Sequence, residues 1–167
     1  VVGVGSSIPN AGDAKPYNLL GIPLILIRDK DMKIRVFHNV CSHRGFKLLD
    51  KKCNLKNVIR CPYHSWSYDF KGNLVATPHI GGLNNHQHKK FDKTKSNLKE
   101  VRSKIWMDII FVNMNSNEID FNEYIKPLEE RWSSLINRED QKLIVHSNDY
   151  GYFSLEVKCN WKFAIEN

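Results

Sequence analysis

Cysteine is scarce in this chain. Four in 167 residues cannot build the dense disulfide framework that small secreted folds use in place of a core, so thiol chemistry in a reducing compartment is expected. Long apolar runs are missing too. The longest, residues 22–27, is strand-sized and contains Pro23, far short of the roughly 20 residues a membrane-spanning helix needs. With a mean hydropathy of −0.46, no membrane span is expected. No internal repeat or low-complexity tract is present. Position 1 is Val rather than Met, and VVGVGSS is too short and too small for the apolar core of a signal peptide. A cytoplasmic protein whose natural start lies upstream of Val1 is the expectation. Hydrophobic residues make up 41% of the chain, enough for a core.

The runs that are present are short. PLILIRD and KIRVFHN flank a polar turn at 29–32, and their mix of branched and polar residues predicts an antiparallel hairpin. Residues 58–60 read as a short strand. WSYDF and NLVA read as a second hairpin about Lys71 and Gly72. Residues 77–97 are polar, with Gly81, Gly82 and three histidines, and read as a long surface loop. VRSKIW and IIFVN predict a third hairpin about Met107 and Asp108, with IIFVN apolar enough for a central, covered strand. Asp120 is placed to cap a helix over residues 121–136, with Tyr124, Ile125, Leu128, Trp132, Leu135 and Ile136 on one face and Pro127 set to kink or divide it. A further β stretch is predicted over residues 143–158, and NWKFAIEN reads as the first turns of an amphipathic helix.

Chemistry concentrates at two places, CSHRG (41–45) and CPYHSW (61–66). Cys-x-His, seventeen intervening residues and Cys-x-x-His give each loop one thiolate and one imidazole. A pair of mixed loops suits two irons, with Cys41 and Cys61 on one and His43 and His64 on the other, and neutral imidazole raises the potential above that of an all-Cys cluster. Gly45 permits a sharp turn, and Pro62 stiffens the second loop. Backbone amides near Arg44, Tyr63 and Ser65, with the Ser65 and Tyr68 hydroxyls, are candidate donors to the cluster sulfurs, and Trp66 is a candidate shield. The same four ligands also suit a structural zinc ion, although zinc modules usually segregate cysteines and histidines onto separate knuckles.

With these residues in view, the chain resembles the Rieske domain of ring-hydroxylating and choline-monooxygenase-like oxygenase α subunits. The resemblance runs from about Tyr17 to Asn113 and rests on Cys41, Ser42, His43, Arg44 and Gly45, on Cys61, Pro62, Tyr63, His64, Ser65 and Trp66, and on Tyr68, Gly72 and Leu74. Ser65 stands where Gly is commoner. Phe46 and Tyr63 stand where respiratory Rieske proteins carry a loop-bridging disulfide, which implies a potential toward the lower part of the range of roughly −150 to +300 mV.

The resemblance implies a mainly β Rieske iron-sulfur fold of short antiparallel sheets with two cluster-binding loops, followed by a helix and the start of an α+β catalytic domain. Residues 1–115 would form the [2Fe-2S] domain, 116–142 a helical connector and 143–167 the beginning of a truncated catalytic domain. The 54 residues after Asn113 exceed what a free-standing Rieske ferredoxin, the competing reading, requires. Asn160, Trp161 and Lys162, then Glu166 and Asn167, resemble the approach to a mononuclear Fe(II) site. Its two histidines and carboxylate would lie beyond the chain, with Asn167 a candidate neighbour of that iron. Also implied are a ferredoxin or flavin/iron-sulfur reductase as donor, a homotrimer in the whole protein, His43 or His64 as electron exit, and a small aromatic or quaternary-amine substrate.

Net charge is +7 with a pI near 9.2, dense only over residues 47–56 and 88–95. A solvated surface is the first reading and steering of an acidic electron donor the second. No nucleic-acid recognition motif accompanies the charge. His79, His86 and His88 read as solvated, His38 and His146 as ordinary strand residues, Cys53 as a thiol without a paired histidine, and Cys159 as a small core residue.

Overall fold

The computed structural model describes residues 1–115, 120–133, 157–160, 162 and 165. Within them the chain forms β1 (Gly3–Val4), β2 (Asp13–Leu19), β3 (Ile22–Arg28), β4 (Ile34–His38), β5 (Cys53–Asn54), β6 (Ile59–Arg60), β7 (Ser67–Tyr68), β8 (Leu74–Ala76), β9 (Glu100–Trp106), β10 (Ile109–Asn113) and α1 (Phe121–Trp132). One sheet has the order β1-β10-β9-β4-β3-β2-β5 and the other β6-β7-β8. Every named pairing is antiparallel. The three predicted hairpins are β3–β4, β7–β8 and β9–β10.

Strand β3 lies inside the large sheet with apolar side chains packed on both faces. Ile25 and Ile27 join Phe37, Leu48, Ile59, Tyr68 and Leu74 in one cluster, while Leu24 and Leu26 join Val36, Val101 and Ile110 in another. All four β3 residues are fully buried, and each contributes about 1.5–3 kcal/mol relative to exposure. The run LILI is therefore continuous rather than alternating because neither face of β3 meets water. Strand β10 is a correction in the opposite direction. Only Ile110 of IIFVN is buried, because β10 has just the two-residue β1 outside it and its Phe111 packs against Phe121 of α1, ring centres 5.2 Å apart.

The β3–β4 and β7–β8 turns share one design. The Asp29 Oδ1 accepts the N–H of Asp31 and of Lys33, each at 2.9 Å, and the Asp69 Oδ1 accepts those of Lys71 and Asn73 at the same distances. The fourth residue of each turn takes a positive φ, Met32 at 62° and Gly72 at 85°. Methionine suffices in the first turn, where it is exposed. Glycine is required in the second, since a Cβ on Gly72 would lie 2.6 Å from the Phe37 ring. That contact locks the small sheet onto the large one.

Helix α1 begins where predicted, with the Asp120 carboxylate accepting the Asn122 N–H at 2.8 Å, and it runs through Pro127 to Trp132. It leans on the β9–β10 hairpin through Phe121, through Trp132 against Trp106 (5.8 Å) and through a Trp106 Nε1 to Glu129 hydrogen bond of 2.9 Å. Its expected apolar face is only partly covered, with Ile125 buried and Tyr124 exposed. Leu135, Ile136, His146 and Asn167 lie outside the described residues. So does the β stretch expected at 143–158, except Val157 and Lys158, which are not in a strand. Cys159 is exposed rather than in the core, as are its described neighbours.

The shared turn supplies a test. Gly72→Ala combines left-handed strain with overpacking against Phe37 and should cost about 3 kcal/mol in chemical denaturation, whereas Met32→Gly should stay within about 1 kcal/mol. A Gly72→Ala loss no larger than the Met32→Gly change would remove the Phe37 contact from the account.

Candidate metal centre

The two thiol-bearing loops issue from different sheets. The first follows β4 and the second joins β6 to β7, yet their backbones close in the same way. Cys41 N–H donates to the Phe46 carbonyl (2.8 Å) and Gly45 N–H to the Cys41 carbonyl (3.0 Å). Cys61 N–H donates to Trp66 (2.8 Å) and Ser65 N–H to Cys61 (3.0 Å). The Ser65 amide, a candidate sulfur donor from the sequence, is thus spent on closing its own turn. Both turns need a left-handed residue at the fifth position, Gly45 at φ 70° and Ser65 at φ 59°. The serine carries the steric cost that glycine avoids.

Buried Asn39, unnoticed in the sequence, braces the first loop. Its side-chain amide donates to the Leu49 carbonyl (2.7 Å), and its oxygen accepts from Leu48 (3.1 Å) and Leu49 (2.9 Å). The sequence carried no signal for it, because the burial that obliges its polar atoms to find partners is set by tertiary packing.

Cys41 and Cys61 are buried within the cluster that joins the two sheets, whereas His43 and His64 are half-buried at its rim. The imidazole rings stand edge to face, 4.8 Å apart. Trp66 stacks on His43 at 4.5 Å and 11°. The fully buried Tyr68 hydroxyl lies 3.2 Å from the Cys41 sulfur and accepts the Ser42 N–H at 3.1 Å. Phe46 and Tyr63 touch, ring centres 5.4 Å apart, so an aromatic contact joins the loop tips. Over the histidines opens a cavity of about 620 Å³, lined by His43, Arg44, Tyr63, His64, Trp66 and His79 among others. His79 therefore reaches the site. Its exposed loop partners His86 and His88 are absent from the cavity wall, although the His86 Nδ1 accepts the His79 N–H at 3.1 Å. Cys53 is set in β5, paired with Ala14.

Electrostatics favour neutral groups in the free protein. Burial raises the Cys41 thiol pKa; Tyr68 and the His43 backbone pull it down, and Cys61 pushes it further up. Burial, then the charges of His64 and Arg44, lowers that of His43. Burial and the Cys41 sulfur raise the Tyr68 phenol, which stays a donor at neutral pH. The neutral His43 imidazole is ready for metal, and a Cys41 thiol that must shed its proton couples binding to proton release.

A group of soft character fits this arrangement. Thiol and imidazole are its donors, and the His64 Nδ1 is buried without a hydrogen-bond partner, a state costing about 1–3 kcal/mol that a metal bond would relieve. Among the described residues no three His, Cys, Asp or Glu side chains converge on one ion; the four ligand candidates stand two by two, sulfurs inward and rings outward.

Comparisons with known proteins agree with the geometry. The family model of the Rieske [2Fe-2S] domain matches residues 1–87. The carnitine monooxygenase oxygenase subunit of Escherichia coli K12 is 31% identical over 97% of this chain and 41% of its own length. The benzene 1,2-dioxygenase α subunit of Pseudomonas putida is 29% identical over 86% of this chain and 30% of its own length. Among solved structures, the apo form of a quaternary ammonium Rieske monooxygenase superposes with a TM-score of 0.68 at 30% identity, covering 80% of this chain and 37% of that one. A Rhodococcus naphthalene 1,2-dioxygenase gives 0.67 at 26% identity, over 77% and 29% respectively. The chain thus spans about two fifths or less of the length of these relatives.

If the two loops are copies of one turn, their fifth positions should respond in opposite senses. Ser65→Gly should gain up to about 1 kcal/mol in thermal stability and Gly45→Ser should lose about as much. Equal signs for the two would contradict the shared geometry.

Proposed function

The chain belongs to the Rieske [2Fe-2S] domain family, and on that premise we propose that Cys41 and Cys61 hold one iron of the cluster while His43 and His64 hold the other. The observation that carries this is the two-by-two arrangement, in which the buried sulfurs and the rim imidazoles come from matched turns. So held, the cluster supplies one-electron storage at a potential above that of all-cysteine clusters. The chain's own residues set its surroundings. As an iron-bound thiolate, Cys41 would accept a hydrogen bond from the Tyr68 hydroxyl beside it; Trp66 covers His43, and the imidazoles at the cavity face outward, where electrons leave or arrive. Arg44, Gly45, Tyr63 and Ser65 shape the two turns.

In the whole protein this unit serves an oxygenase α subunit, receiving electrons from a ferredoxin or flavin/iron-sulfur reductase. The electrons go on to a mononuclear non-haem iron for O₂-dependent hydroxylation. Similarity to oxygenase subunits over 97% of the chain, well past residue 87, favours this reading over an independent electron carrier. Residues 1–115 are the Rieske unit, 116–142 a connector and 143–167 the beginning of the catalytic part. The working assembly is a homotrimer. A quaternary amine or an aromatic ring is the substrate class, in keeping with the relatives that share the fold.

Dithionite-reduced protein should show a rhombic EPR signal with nitrogen hyperfine coupling. His64→Cys should retain a cluster but lower its potential on the order of 100 mV. A spectrum without nitrogen coupling, or an unshifted potential, would refute the ligand assignment.

A further inference from the structure

Residues 88–97 form a strap across both ligand loops. Phe91 packs edge-on against Trp66 of the second loop, ring centres 5.6 Å apart, and Trp66 in turn stacks on His43. At the other end the Ser42 hydroxyl of the first loop donates to the Asn97 carbonyl at 2.9 Å. Asn97 also accepts the Leu74 N–H at 2.9 Å. Between these anchors a short helical turn runs over Lys93–Ser96, capped by Asp92, whose carboxylate accepts from the Thr94 N–H (3.0 Å) and hydroxyl (2.6 Å).

The strap's outward charge is predominantly positive. Lys89, Lys90, Lys93 and Lys95 face a single carboxylate, Asp92. Lys89, Lys90 and Lys95 are exposed, and Lys93 reaches the Val75 carbonyl at 3.4 Å. The apolar residue among them, Phe91, is turned inward, so the strap offers charge without the exposed aromatic platform that single-stranded nucleic acid requires. A fixed cationic patch beside a redox centre raises the encounter rate with an anionic protein and orients it on arrival.

We propose that this strap is the docking surface for an acidic one-electron carrier protein, which places its reduced centre beside Trp66 and His43. The proposal rests on the cluster assignment above and adds the partner's chemistry and its place of contact. One electron leaves the carrier and enters the oxidised cluster; no bond forms or breaks.

The test uses the full chain carrying its cluster and an oxidised plant-type [2Fe-2S] ferredoxin, an acidic carrier, as probe. Calorimetric titration at low ionic strength compares wild type with Lys89→Glu/Lys90→Glu/Lys95→Glu. The control is Lys30→Glu/Lys104→Glu/Lys126→Glu, which alters net charge equally at exposed lysines on other elements. The strap variant should weaken Kd about tenfold or more and flatten its salt dependence, while the control changes it less than about threefold. The optical spectrum of the cluster should be the same in all three. Wild-type Kd in the strap variant, equal weakening in both variants, or no wild-type binding would overturn the proposal while leaving the cluster assignment standing. A wild-type protein without the cluster spectrum would overturn both.

Discussion

The structure depends on holding two non-local turns tip to tip with no covalent bond between them. Each turn presents a thiol inward and an imidazole outward, and each is closed by the same pair of backbone hydrogen bonds about a left-handed fifth residue. The turns leave different sheets, so the distance between their tips is set by how the sheets pack. Phe37 against Gly72, Tyr68 against Cys41, and the buried Ile59 and Cys61 of the shared cluster belong to that one packed interface. Cluster geometry and core packing are therefore one constraint. A core change that shifts the small sheet also moves two ligands relative to the other two.

Burial is graded across the site, and the grading has chemical sense. Both sulfurs lie in the core, away from water, and at Cys41 burial and the neighbouring Cys61 thiol disfavour charge. Histidines lie at the rim, one stacked on Trp66 and the other carrying an unpartnered nitrogen. On the proposed assignment electrons would cross only the imidazole side, which leaves the deep side to serve as structure. The aromatic contact of Phe46 with Tyr63 joins the loop tips without the covalent bond a disulfide would supply. It is a weaker fastening, and the Asn39 brace and the Asn97 anchor add to it.

What the sequence disclosed was local. Cys-x-His and Cys-x-x-His pointed to the site because ligand spacing is a short-range property, and the hairpins followed from turn residues such as Asp29, Lys71 and Gly72. What it hid was non-local. The two covered faces of β3, the half-open placement of β10 and the reach of residues 77–97 back over the ligand loops all depend on which strands become neighbours, which no window of sequence contains. Asn39 and Phe91 looked ordinary for the same reason, since their partners are set by tertiary packing. The left-handed conformation of Ser65 was foreshadowed only by its standing where glycine is commoner.

The central claim is that the two irons differ because the turns sort sulfur to one and nitrogen to the other. Mössbauer spectroscopy of the oxidised protein enriched in ⁵⁷Fe reads that difference directly. Two quadrupole doublets of equal area with distinct isomer shifts are the expected result. A single doublet from equivalent irons, or protein without stoichiometric iron, would contradict it.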